Sequence, residues 1–263
     1  KMGIPWPQRT AEGYLLTQIP SPIDASLLRS EQEPYETDRG YPDFFDMRND
    51  NKLPPPRDQK NLGTCWAHAT YGSFESFFGA IALSAGNFWD FSERHLAENH
   101  GFDFGADNGG NAEMSMAYLC RWDGPINESD VPYYSLWPLD RYVVQKHVQN
   151  VYAIPARSSS TDNDKIKDAL MKYNTAIYTS MCWLDDYYNS NTYAYYNPDF
   201  SGGGHAVAIV GWDNNYSAGN FTSPGRGDRV TPPGNGAFIV RNSWGENWGD
   251  AGYFYVSYYD NYF

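Results

Sequence analysis

Apolar positions recur at a spacing near 3.6 through residues 41–150, then give way to short apolar runs and alternation through 151–263. The first pattern predicts helices over Cys65–Ile81, 92–98 and 111–119, each opened by residues suited to capping. The second predicts strands over 175–181, 206–212, 236–241 and 252–259, with one helix at 164–173 between the halves' apolar runs. Residues 1–40 differ from both. They hold Pro5, Pro7, Pro20, Pro22 and Pro34 and few apolar runs, so they read as an extended leader rather than a core segment. The chain therefore divides into a leader at 1–40, a helix-rich half at 41–150 and a strand-rich half at 151–263. The class is α+β, with a groove where the halves face each other.

Candidate chemistry falls on the borders of these elements. Cys65 opens the first helix after the turn Gly63-Thr64, where the helix macrodipole and free backbone N–H groups favour thiolate. Gln59, six residues upstream, carries an NH2 that can meet an oxygen turning negative as a thiolate attacks a carbonyl. His205 stands at the mouth of an apolar strand after Gly202-Gly203-Gly204, and the glycines leave space beside the ring. Asn242 ends a second apolar strand, where its side chain can hold one imidazole nitrogen and turn the other toward the thiol. A lone buried cysteine is by default a packed one. The order Gln, Cys, His, Asn overrides that default.

These segments resemble the papain family of cysteine peptidases. The likeness runs from Asp46-Met47-Arg48 through Gln59, Gly63-Thr64-Cys65-Trp66-Ala67, Ser92-Glu93-Arg94, Asp107-Asn108-Gly109-Gly110 and Gly204-His205-Ala206 to Asn242-Ser243-Trp244-Gly245, covering residues 41 to 260. His205 lies 140 positions after Cys65, within the roughly 130–150 such enzymes show. Asn242 lies 177 positions after it, and the excess falls in 213–236, a Gly/Pro/Ser/Asn-rich stretch that reads as a long surface insertion. The resemblance implies a helical domain carrying the nucleophile, a β-barrel-like domain carrying His205 and Asn242, and hydrolysis of peptides through a thioester. It implies an oxyanion site from Gln59 and the Cys65 N–H, and Trp244 as a cover on the His205–Asn242 bond. It also places Gly63, Thr64 and Trp244 among the groove's substrate-binding residues, makes Asn108, Gly109 and Gly110 a substrate-binding edge, and makes Asn111, Ala112, Ser180 and Ala206 the lining of the main specificity pocket.

The departures are as informative. Leu62, Asn99 and Asp107 stand where family members often have disulfide cysteines, which leaves only Cys120 and Cys182 beside Cys65. Cys120, in the apolar run with Met114, Ala117 and Tyr118, reads as a packed thiol, with a bond to Cys182 left open. The missing framework suits a prokaryotic setting better than a lysosomal one. The leader's Gly13-Tyr14-Leu15-Leu16 and Ile19-Pro20-Ser21-Pro22 resemble the region ahead of the catalytic domain in bacterial and archaeal relatives. It is either a propeptide lying across the cleft, the favoured reading, or a strap on the outside.

Other features are discounted. His95 and His100 are five apart, whereas two zinc ligands on one helix face stand four apart; no metal or other cofactor is expected. His68 replaces the family's usual Phe and reads as a packed, hydrogen-bonded histidine. Arg226-Gly227-Asp228 is a common loop composition, and the sequons at Asn127, Asn215 and Asn220 matter only in a eukaryotic secretory source.

A net charge of −13, from 32 acidic against 19 basic residues, argues against nucleic acid or anionic membranes as partners. No apolar run reaches the about 18 residues of a membrane span. The expected partners are protein or peptide substrates and the chain's own leader, in a monomer secreted or held at the surface of a prokaryote. The abrupt end at Phe263 after the last strand suggests a longer native chain. Two rival readings remain: a catalytically silent papain-fold binding module, and an amidase or transpeptidase using the same dyad. All four of Gln59, Cys65, His205 and Asn242 are present, which counts against the first.

Overall fold

The computed structural model describes residues 8–21, 40–51, 53–81, 88–135, 142–199, 201–223 and 230–263. The Arg226-Gly227-Asp228 tripeptide and Pro5, Pro7, Pro22 and Pro34 lie outside them.

Nine strands and four α-helices are found among the described residues. The strands are β1 (Gln8–Arg9), β2 (Leu15–Leu16), β3 (Phe44–Asp46), β4 (Ile177–Trp183), β5 (Tyr188–Asn189), β6 (Ala194–Tyr195), β7 (Gly203–Asp213), β8 (Ala237–Arg241) and β9 (Tyr253–Ser257). The helices are α1 (Cys65–Ile81), α2 (Glu93–Asn99), α3 (Ala112–Cys120) and α4 (Asp164–Tyr173). Ser92 and Asn111, predicted as first helical residues, are the caps of α2 and α3. Their side-chain oxygens accept from the N–H of His95 and Met114, each at 3.0 Å, satisfying a donor the first helical turn leaves free.

The main sheet runs β3-β7-β8-β9-β6-β5, and β4 also pairs with β7. β7 organises it. Its residues 203–209 pair with β4, residues 211–213 with β3, and the C-terminal half pairs with β8 on the other edge. Because β3 comes from residues 44–46, the segment before α1 joins the sheet of the second half. The sheet's core gathers Trp183, Trp212, Trp244, Tyr195, Phe238 and Phe254. A second core surrounds α1, whose residues 65–71 are buried on every side, as expected of a helix apolar all round. Here α2 and α3 cover one face of α1, and β4 and β7 the other. Cys65 thus opens a helix wedged between the two layers, and Ala206 of β7 shares its cluster.

Two expectations change. Leu15 and Leu16 are 6% and 5% exposed, and Leu16 belongs to the sheet's core, so the leader does supply core residues. Cys120 is exposed, because α3 turns Met114, Ser115, Tyr118 and Leu119 inward and Cys120 falls past that stripe; all three cysteines are free. The stretch 213–236, in its described part, lies mostly at the surface, tied down at a few points. Phe221 is buried with Ala194 and Ala237, and the Asn189 amide donates to Asn220 O and Thr222 O at 2.8 and 2.9 Å.

Burial, followed by the charge of Glu93, pushes the Glu128 carboxyl up to about 8. Between about pH 6.5 and 8 the folded chain holds this proton while an unfolded glutamate has released it, so stability falls as pH rises across that window. Below it, His205 and His68, depressed by burial, act in the opposite sense. The melting temperature is therefore expected to drop from pH 6.5 to 8.5, and Glu128→Gln to flatten the drop. A melting temperature that rises over this interval would exclude the assignment.

Candidate active site

The loop before α1 is fixed from two sides. Gln59 is fully buried; its backbone N–H donates to Ser243 O at 2.8 Å, and its Oε1 accepts from Ser243 Oγ at 2.7 Å. Its Nε2 donates to Leu62 O and to Leu15 O, both at 3.0 Å. The second acceptor is a backbone carbonyl of the leader. Thr64 turns its hydroxyl inward to Tyr133, whose own hydroxyl donates to Gln59 O. Thr64 therefore braces the loop instead of lining the groove.

Cys65 is fully buried. Burial pushes its thiol up, while the backbone N–H groups of Ala206, Thr17 and Trp66 act the other way. Thr17 Oγ1 lies 3.9 Å from Sγ. His205, also fully buried, has Nε2 2.7 Å from Asn242 Oδ1. That oxygen also accepts the Ser243 N–H at 2.8 Å, which marks it as the amide's oxygen and Nε2 as the protonated ring nitrogen. Nδ1 has no partner among the described residues. Trp244 stacks on the imidazole, centroids 4.8 Å apart and planes 26° apart, and covers the bond to Asn242. Burial drives His205 down to about 4 against the pull of Asn242.

The leader passes directly over this group. β1 and β2 form a hairpin, and Tyr14 at its return stacks on Trp244 at 5.0 Å and donates its hydroxyl to Trp244 O. Gln18 N–H then donates to Gly204 O, and Ile19 N–H to Gly110 O, both at 2.9 Å, while Gly110 N–H donates to Thr17 O at 3.2 Å. The strand runs parallel to Gly110. Two glycines make room for it. A Cβ on Gly109, whose φ is +84°, would lie 2.0 Å from Thr17 O, and one on Gly63 would lie 2.9 Å from the Thr17 hydroxyl.

Gln59, Gly63, Cys65, Gly109, Gly110 and Trp244 thus meet one stretch of chain, with His205 and Asn242 under Trp244 and Ala206 in the Cys65 cluster. Ser180 pairs with Ala206 across β4 and β7. Ala112 opens α3, while Asn111 and Asn108 spend their side-chain oxygens on the N–H groups of Met114 and Gly105. Sequence reasoning missed Thr17 and Tyr178. The second was within reach: residues two apart on a strand share a face, so Ser180 in the pocket carries Tyr178 with it. His68 donates Nδ1–H to Thr64 O at 2.9 Å, a packed, hydrogen-bonded histidine; His95 bonds the Tyr118 hydroxyl at 2.7 Å, and His100 accepts from Phe102 N–H. Among the described residues no cluster of ligands could hold a metal ion, and no helix is long and apolar enough to cross a membrane.

Comparison with known proteins gives a consistent answer. Falcipain-2a of Plasmodium falciparum is 26% identical over 258 residues, and a viral cathepsin of Heliothis zea nuclear polyhedrosis virus 27% over 223. The aligned parts cover 91% and 82% of this chain but 48% and 52% of those proteins, so the chain spans about half the length of these relatives. Among solved structures, the cysteine protease and lectin-like domains of Cwp84, a surface layer associated protein of Clostridium difficile, superpose with a TM-score of 0.70 at 28% identity, covering 84% of this chain and 49% of that one. Digestive procathepsin L2 of Tenebrio molitor gives 0.58 at 25%, covering 84% and 64%. A family model described as papain family cysteine protease matches residues 41–262. With Cys65 opening α1, the His205–Asn242 bond and the covering Trp244 already in hand, that match over most of the chain shows that it belongs to the papain family of cysteine proteases.

Proposed function

We propose that this chain is a cysteine endopeptidase acting through a thioester, and that its leader keeps it latent by lying in its own cleft. One observation carries the reading. A peptide segment of the chain already crosses the nucleophile, with the Leu15 carbonyl on the Gln59 amide and the Thr17 hydroxyl 3.9 Å from Cys65 Sγ. The carbonyl of Thr17, the residue beside the sulfur, is held by the Gly110 N–H at 3.2 Å and not by the Gln59 amide, which supports a segment seated in the site without being cut.

In turnover the Cys65 thiol passes its proton to His205 Nδ1, the nitrogen that Asn242 leaves free. The sulfur adds to the substrate's carbonyl carbon, and the oxygen that turns negative takes hydrogen bonds from Gln59 Nε2 and the Cys65 N–H. The imidazolium gives its proton to the amine as the C–N bond breaks, leaving a thioester. His205 then takes a proton from water, which adds to the thioester carbonyl, and the thiol leaves with the acid as product. With the leader seated, burial favours neutral thiol and imidazole over their ion pair. The charged pair forms when the leader leaves.

Endopeptidase action follows from the leader's path. It makes contacts from Ala11, whose N–H meets Asp185, to Ser21 at Glu113, and so extends along the cleft on both sides of Cys65. A groove that admits chain on both sides suits cleavage within a polypeptide. Export to a prokaryotic cell surface is supported by the likeness to the Clostridium difficile surface-layer protease.

The test is labelling of Cys65 by an epoxysuccinyl thiol reagent in the intact chain and in Tyr14→Ala/Leu16→Asp, with Cys65→Ala as control. The loosened leader is expected to speed labelling at least about tenfold, since a buried aromatic stack and a buried leucine are both lost. Equal rates would keep the enzyme and exclude latency. No labelling above the Cys65→Ala background in either chain would favour the silent binding module.

A further inference from the structure

We propose that the pocket beside the nucleophile accepts a side chain bearing a carboxamide, glutamine foremost, and that Tyr178 is the residue that reads it. The proposal deepens, and rests on, the peptidase reading. The leader itself supplies the first observation. At Gln18 the backbone is held on both sides, by Gly204 through its own N–H and by Gly110 through its neighbours, which sets the side chain toward the β4–β7 wall. There the Tyr178 hydroxyl donates to Gln18 Oε1 at 2.6 Å.

The register of the sheet explains why a phenol stands at this point. Ser180 is opposite Ala206 and Tyr178 opposite Ala208, so all four side chains lie on the face turned to α1. The alanines are too small to fill the space, and the Tyr178 ring occupies it, packing on the cluster that contains Cys65 and Ala206. Its hydroxyl is left at the floor of the pocket, in reach of Ser180. That hydroxyl donates its hydrogen into the pocket, and an aliphatic side chain offers no acceptor for it.

Glu113, the second residue of α3, supplies the complementary group. Its charge acts on Tyr178, its Oε1 accepts from Ser21 Oγ at 2.5 Å, and its buried Oε2 has no partner among the described residues. Tyr178 thus gives the pocket a hydroxyl donor with the Glu113 carboxylate near it, while the seated Gln18 turns its own Nε2 to Ile19 O at 3.2 Å. A primary amide carries the matching pair, an acceptor oxygen and donor hydrogens. A leucine matches neither.

Labelling of Cys65 by the epoxysuccinyl reagent tests the pairing in the intact chain, using Gln18→Leu, Tyr178→Phe and the double variant. Each single change is expected to speed labelling about tenfold, and the double to be no faster than either, because the two remove one shared contact. A pool of peptides varied at each acyl-side position, read by mass spectrometry, should show glutamine favoured at one position by about tenfold or more over leucine, and Tyr178→Phe should reverse that order. Unchanged or slower labelling in Gln18→Leu, or a pool preference for leucine or valine, overturns the proposal. So does a preference for lysine or arginine that Glu113→Gln abolishes, which would make the carboxylate alone the reader. If no chain labels and no peptide is cut, the peptidase reading itself falls.

Discussion

Gln59→Ala is expected to slow cleavage of any peptide substrate about 10²–10³-fold while speeding reagent access to Cys65 in the intact chain. The opposite signs arise because one amide serves two acceptors in turn. Nε2 holds Leu62 O with one N–H and the Leu15 carbonyl with the other; on the proposed mechanism the second meets the oxyanion once the leader leaves. The amide cannot swing away from this duty, since its Oε1 is held by Ser243 and its backbone is tied at both N–H and C=O. Gln59→Glu should be worse for turnover, because it sets an acceptor where a negative oxygen must form. The two readouts are kcat on a cleaved peptide and the labelling rate of the uncut chain. A turnover number within threefold of the parent would remove Gln59 from the reaction, and a fall in both rates with a lower melting temperature would make it a structural residue only.

Arg57→Met is expected to cost about 3–5 kcal/mol of stability, the range found when one partner is removed from a buried charge group. Arg57 reaches Glu75, Asp90 and Glu93 at 2.7–2.8 Å, and the side chains of Glu75 and Glu93 are 0% and 2% exposed. Burial works to raise Glu93, yet Arg57 and His68 together hold it below the usual carboxylate range. Without the guanidinium, these carboxyls must stay charged in a dry site or bind protons. Arg57 O also accepts the Gly245 N–H, so the strain would reach the loop carrying Asn242 and Trp244. Urea unfolding measures the loss, and adding Glu75→Gln and Glu93→Gln should restore much of it. A loss under 1 kcal/mol would mean that water screens the cluster.

The sequence made the chemistry easy to find and its surroundings hard. Cys65–Ile81 and Asp164–Tyr173 were legible to the residue because their apolar spacing and end signals agree. Gln59, His205 and Asn242 drew notice because each sits where an element begins or ends, and the structure places Asn242 on the His205 ring and Gln59 in the loop before α1. The Arg57 cluster was not, since its members lie in three separate segments and each alone resembles a solvated surface charge. Leu15 and Leu16 were hidden by the prolines around them: two apolar residues have no period, and only the cleft shows what they fill. Cys120 was misjudged because a run rich in apolar residues does not say which of them faces out. Tyr178 escaped notice because a tyrosine in a strand is ordinary until a partner for its hydroxyl is known.

The segment 8–21 and the cleft it fills are one covalent chain, and if the leader keeps the protein latent, as proposed, this sets how latency responds to dilution. A tethered segment meets its site at an effective concentration in the millimolar range, whatever the amount of protein in solution. Thinning the protein a thousandfold therefore leaves the closed fraction unchanged, unlike inhibition by a separate protein. On that proposal activation is a unimolecular event, governed by how often residues 8–21 lift from Trp244, Gly204 and Gly110, and a cut in the connecting chain would make it permanent. A single molecule, far from any other copy, would stay silent as firmly as a crowded one.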